Sequence, residues 1–95
     1  MLSASSERGA ETTAVLPANV ALHARPAGVL AREAMRFEAR LTLAFGEREA
    51  DAKSVLRVMA LGAAGGSTVT VRGEGEGAEA AVAHLAEVIG TLQDG

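Results

Sequence analysis

A chain of 95 residues has room for one domain with a single modest core, not for two lobes around a deep cleft, which counts against a small-molecule enzyme. With 48% hydrophobic residues but only two phenylalanines and no other aromatic, the core must be built from Val, Leu, Ala and Met; the net charge of −3, with Arg and Lys scattered, argues against a nucleic-acid surface. The absence of Cys removes disulfides, thiolate metal sites and Cys nucleophiles, and no run approaches the roughly 20 apolar residues of a membrane span, so a cytoplasmic chain without membrane insertion is expected.

Residues 1–11 are rich in Ser, Ala, Gly and charge without periodicity, and they read as a mobile tail ahead of one domain over 12–92, with 93–95 as a C-terminal end. A short β-branched and apolar run over 13–16 ends at Pro17 and predicts a strand followed by a loop to His23. From Pro26 the apolar positions Ala27, Leu30, Ala31, Ala34 and Phe37 recur at the spacing of one helix face. Residues 40–45 alternate, with Leu41, Leu43 and Phe45 on one side. After the Gly46-Glu47 turn, 48–52 alternates again with Ala50 and Ala52 inward, predicting a hairpin. Ser54 is a good N-cap for a two-turn helix that stops at Gly62. Residues 67–72 form a further strand, the glycine-rich 73–77 a turn, and Ala78, Ala81, Val82, Leu85, Val88, Ile89 and Leu92 stripe a last helix.

Every element in this βαββαβα order is amphipathic. One antiparallel sheet with all helices on one face buries each stripe once. The expected fold is therefore an α/β (α+β) open-faced β-sandwich: four antiparallel strands covered on one face by three helices, with Arg40, Thr42, Thr68 and Thr70 on the open face.

The chemistry concentrates in Leu22-His23-Ala24-Arg25-Pro26-Ala27. Proline is tolerated in a first helical turn because its φ is preset and its missing N–H would have had no partner, so Pro26 places His23 at or just before the N-cap. There the first-turn amides of Ala24 and Arg25 and the positive end of the helix favour an anion. The Arg25 guanidinium adds a forked donor suited to phosphate oxygens. The same positive surroundings favour the neutral, nucleophilic imidazole, so one arrangement assists attack on a phosphoryl group and then holds its charge at a surface from which it can leave. Read without chemistry, His23 would simply be a loop histidine before a helix. The His-Ala-Arg-Pro run argues otherwise, because nucleophile, anion clamp and helix start stand within four residues.

The run over 21–27, Ala-Leu-His-Ala-Arg-Pro-Ala, resembles the active-site motif of HPr, the histidine-containing phosphocarrier family of the bacterial phosphoenolpyruvate-dependent sugar phosphotransferase system. The run Lys-Ser-Val-Leu-Arg-Val-Met-Ala-Leu-Gly over 53–62 is similar to a second region of that family, and the resemblance extends over roughly 12–92. It implies a monomeric carrier, not an enzyme, needing no cofactor or metal. His23 would accept a phosphoryl group from enzyme I as a pros-phosphohistidine and pass it to enzyme IIA domains of sugar permeases, with Arg25 as clamp. Ser54 matches a serine that an HPr kinase phosphorylates in some bacteria; as a plain helix cap it is worth about 1 kcal/mol. Two departures stand out: Ala21 replaces the family's usual glycine, where a positive φ would strain it, and Gly28 sits within the first helix.

The short helix holds Val55, Leu56, Val58, Met59 and Leu61, more apolar side chains than one buried face accommodates. Val55, Leu56 and Met59 are expected to face outward as a partner-docking patch, the alternative being a loop that covers them. His84 falls on the polar side of the last helix and is assigned no role. Competing functions are an HPr-like regulatory phosphocarrier and a non-catalytic α/β interaction or ligand-sensing module in which His23 only precedes a helix.

Overall fold

The structure, a computed structural model, describes residues 9–93. The elements are β1 (Gly9–Val15), α1 (Ala24–Ala34), β2 (Arg40–Phe45), β3 (Arg48–Asp51), α2 (Val55–Ala60), β4 (Thr68–Glu74) and α3 (Ala78–Gly90). The strands form one antiparallel sheet in the order β1-β4-β2-β3, so the first and last strands lie side by side and β1 and β3 are the edges. This is the expected open sheet with three helices.

Alternation decides the two faces. Ala10 and Ala14 of β1, Val69, Val71 and Gly73 of β4, Leu41 and Leu43 of β2 and Ala50 of β3 turn to the helices. The stripes of α1 (Ala27, Leu30, Ala34) and α3 (Ala78, Ala81, Val82, Leu85, Ile89) meet them. The largest wholly buried side chains are aliphatic, among them Leu16, Leu30, Leu41, Leu43, Leu85 and Ile89. Removing each from water stabilises the fold by about 1.5–3 kcal/mol. Among the described residues no polar or charged side chain is buried.

On the open face Arg72 donates from Nε to Glu11 Oε1 at 3.0 Å and from Nη1 to Glu49 Oε2 at 2.8 Å, joining both edge strands through the sheet centre. The two carboxylates, Glu11 foremost, hold its guanidinium pKa above the ordinary value. Arg40 and Thr68 are exposed as expected. Thr42 and Thr70 are only half-exposed: each is paired on both sides, Thr42 with Asp51 and Arg72 and Thr70 with Thr13 and Ala44, whereas Arg40 and Thr68 stand at strand ends and are paired on one side.

Several boundaries differ from the sequence reading. The strand expected over 13–16 begins at Gly9, so Gly9, Ala10 and Glu11 belong to the sheet and not to a tail; pairing of Gly9 with Glu74 and the Glu11–Arg72 ion pair carry it outward. The rest of the expected tail, 1–8, and residues 94 and 95 lie outside the described residues. The strand expected to end at Arg72 continues through Gly73 and Glu74. It continues because Gly73 and Glu74 pair with Ala10 and Gly9 on one side and with Leu41 and Arg40 on the other; a Cβ on Gly73 would lie 2.7 Å from Val82 Cγ2, 3.2 Å from Leu41 Cδ2 and 3.3 Å from the Ala78 Cβ, so a glycine here lets α3 settle onto the sheet. The first helix ends at Ala34, leaving Phe37 in the connection to β2, and α3 ends at Gly90, with Leu92 still buried beyond it.

His84 has a structural role that polarity alone hid. Its Nε2 donates to Glu33 Oε1 at 2.7 Å, and its ring lies 5.6 Å from that of Phe37, tying α3 to α1 and to the segment that follows it. Lys53 Nζ donates to the Phe37 carbonyl at 2.7 Å and pins the same segment from the other side.

Candidate functional site

His23 is the N-cap of α1, with extended backbone (φ −76°, ψ −175°) and an exposed side chain that makes no capping bond. Its position is set by burial on both sides: Leu22 and Pro26 are inside, as are Val20 and Ala27, while His23, Ala24 and Arg25 are outside. The chain thus surfaces for three residues only. The Ala27 N–H donates to the His23 carbonyl at 2.9 Å, and Pro26 has no N–H to give. An anion held at this helix mouth would therefore face the amides of Ala24 and Arg25. No acidic residue stands in the first turn of α1 to offset the positive helix end.

The loop that delivers His23 is held by backbone contacts. Its Leu22 N–H donates to the Ala63 carbonyl at 3.0 Å, the Val20 N–H to the Pro17 carbonyl at 3.0 Å, and the Gly66 N–H to the carbonyls of Leu16 and Pro17 at 3.2 and 3.1 Å. The segment that leaves α2 is thereby the floor of the His23 loop. At Ala21, where glycine was expected from the resemblance, the carbonyl accepts the His23 N–H at 2.8 Å in a tight turn around Leu22. Gly28 has nothing within 4 Å of where a Cβ would stand, so the helix surface one turn from His23 is bare.

The second element of the site is α2, which packs against α1. Ser54 is its N-cap, and its Oγ accepts the Arg57 N–H at 3.2 Å. At the other end Arg48 Nη1 donates to the Ala60 carbonyl at 3.2 Å, and Gly62 follows with φ +71°. Only Val58 of the helix is buried. Val55 is 37% exposed, Leu56 78% and Met59 36%, so three apolar side chains stand together on solvent. No loop covers them among the described residues, and Leu61, inside at the C-cap, supplies the remaining anchor.

Sequence reasoning singled out His23, Arg25, Ser54 and the α2 patch but missed the floor of the loop at 63–66. The signal was the Gly65-Gly66 pair. Gly66 has φ +83° and serves a turn, whereas Gly65 lies outside the left-handed region and is there for lack of a side chain.

Known proteins of similar sequence and shape carry the same arrangement of elements. The family model described as "PTS HPr component phosphorylation site" matches residues 10–91. Phosphocarrier protein HPr of Mycoplasma capricolum is 34% identical over 80 residues, covering 84% of this chain and 90% of that protein. Phosphocarrier protein HPr of Vibrio cholerae is 38% identical over 71 residues, covering 75% and 84%. The crystal structure of a phosphocarrier protein HPr from Bacillus anthracis superposes with a TM-score of 0.80 at 31% identity, covering 85% of this chain and 96% of that one.

Proposed function

The chain belongs to the HPr family, the phosphocarriers of the phosphotransferase system, and on that premise we propose that His23 is its phosphoryl acceptor, charged by enzyme I and discharged to enzyme IIA domains of sugar permeases. The observation that carries this reading is the placement of His23: an exposed imidazole that makes no capping bond, at the mouth of a helix whose first turn contains no acidic residue. Attack uses the lone pair of the pros nitrogen, Nδ1, on phosphorus. The new N–P bond forms as the bond to the donor breaks, and that electron pair returns to the donor.

The product carries negative charge on its phosphoryl oxygens. The amides of Ala24 and Arg25, the helix end and the Arg25 guanidinium all favour that charge, the helix end by roughly 0.3–1 kcal/mol at an exposed site. Exposure serves a carrier, because the group must be reached twice, once by the donor and once by the acceptor. Val55, Leu56 and Met59 would form the docking surface for both partners, and Ser54 a modification point for an HPr kinase. The protein would act in the cytoplasm as a monomer, consumed and regenerated stoichiometrically and not as a catalyst.

Intact-mass spectrometry at neutral to alkaline pH, after incubation with phosphoenolpyruvate and a bacterial enzyme I, tests the assignment. Wild type should gain one phosphoryl mass and His23→Ala none. A gain in both proteins would move the site elsewhere. No gain in either, with enzyme I active on another HPr, would favour a regulatory carrier with a different donor.

A further inference from the structure

We propose that Gly65, in the loop between α2 and β4, is a positioning residue for phosphoryl transfer: the missing side chain at 65 sets where His23 stands. The inference rests on His23 being the acceptor. Gly65 does not need glycine's conformational freedom, since its φ lies outside the left-handed region. What it needs is space. A Cβ built there would overlap the Ala18 carbonyl oxygen and lie 2.8 Å from the Ala18 carbonyl carbon and 3.0 Å from the Val20 nitrogen. These are backbone atoms, which cannot swing aside as a side-chain tip can.

Ordinary carbon–carbon contact is about 3.5–4.0 Å, so alanine at 65 requires the 18–20 segment to retreat by about 1 Å. That segment leads without interruption to the active histidine: Val20 is 2% exposed, Leu22 is 4% exposed and bonded to the Ala63 carbonyl, and His23 follows. The displacement therefore reaches an imidazole whose task is in-line attack, where a misplacement of about 1 Å can cost on the order of 100-fold in rate. The α2 patch lies on the other side of residue 62 and contributes nothing to this contact, so docking is left as it was. Gly73 offers the matching control, because the nearest atoms its Cβ would meet belong to Val82, Leu41 and Ala78 in the core.

The test compares wild type, Gly65→Ala, Val20→Ala and Gly73→Ala as substrates of phosphorylated enzyme I, together with the ring-proton NMR resonances of His23 in each. Gly65→Ala should lower kcat by about 10- to 100-fold with KM within about twofold of wild type, and shift the His23 ring resonances. Val20→Ala, which loosens the same loop without a clash, should lower kcat in the same sense. Gly73→Ala should lower the melting temperature while leaving kcat and the ring resonances as in wild type. A Gly65→Ala protein that folds, transfers at the wild-type rate and keeps the wild-type His23 resonances overturns the proposal, as does a kcat loss that Gly73→Ala reproduces. Should Gly65→Ala not fold, Val20→Ala decides, and an unchanged kcat there overturns it. Wild type that takes no phosphoryl group on His23 refutes the acceptor assignment instead, and the ring resonances, which need no partner, still test the positioning.

Discussion

Replacing Gly73 with alanine should destabilise the fold through α3, and the size of the effect follows from three distances. The new methyl would stand 2.7 Å from Val82 Cγ2, about 1 Å inside normal contact, with Leu41 Cδ2 at 3.2 Å and the Ala78 Cβ at 3.3 Å closing the other directions. Val82 is β-branched, in a helix and 3% exposed, so it has one favoured rotamer and no room to leave it. Relief must come from lifting α3 off the sheet, an overpacking cost of about 1–3 kcal/mol. For a domain of this size each kcal/mol lowers Tm by about 4–8 °C. Urea unfolding of Gly73→Ala, Val82→Ala and the double variant measures it. Val82→Ala alone removes two buried methyl groups, about 1.6 kcal/mol of transfer before any cavity term. In the double variant the methyl at 73 occupies the space those groups vacate, so its loss should fall short of the sum by about 1 kcal/mol or more. Additive losses, within about 0.5 kcal/mol, would refute the steric account.

The remaining predictions concern the latch between α1 and α3, the α2 cap and the docking patch. The hydrogen bond from His84, and after it that from Arg36, hold the Glu33 carboxyl below its ordinary value of 4.5; the stability this contributes is present above pH 4.5 and is lost as pH falls through the lowered folded value. Thermal unfolding between pH 3 and 6 should show that loss in wild type and a flatter profile in Glu33→Gln, and parallel profiles would refute it. Ser54→Ala leaves the Arg57 N–H without its 3.2 Å acceptor and should cost about 1 kcal/mol in chemical denaturation. Leu56→Ala should change stability by no more than about 0.5 kcal/mol, since Leu56 is 78% exposed, whereas Met59→Ala, at a residue 36% exposed, should cost about 1 kcal/mol. The same pair should raise KM for transfer from enzyme I by about fivefold or more, and an unchanged KM would dismiss the patch as a docking surface.

The element order, the faces of the strands and the location of His23 were legible in the sequence because each rests on a local rule. Leu41, Leu43 and Ala50 alternate, Ala27, Leu30, Ala31 and Ala34 recur at helical spacing, and Pro26 confines the helix start to a residue or two. Ser54 as a cap, and Val55, Leu56 and Met59 as surplus apolar surface, follow from the same local logic, since a six-residue helix buries one side.

What stayed hidden depended on partners far along the chain. β1 reaches back to Gly9 because β4 is there to pair with it, and Ser, Ala and Gly carry no periodicity that would announce a paired edge. His84 lies on the polar side of its own helix, and only the packing of α3 beside α1 brings Glu33 to 2.7 Å. Gly65 and Gly73 read as ordinary loop or turn glycines, yet each is required by the closeness of another segment. Local sequence thus determined which elements form and that His23 stands at the mouth of α1; tertiary structure alone decided how closely those elements approach, because the volume left by an absent side chain is defined only by what packs into it.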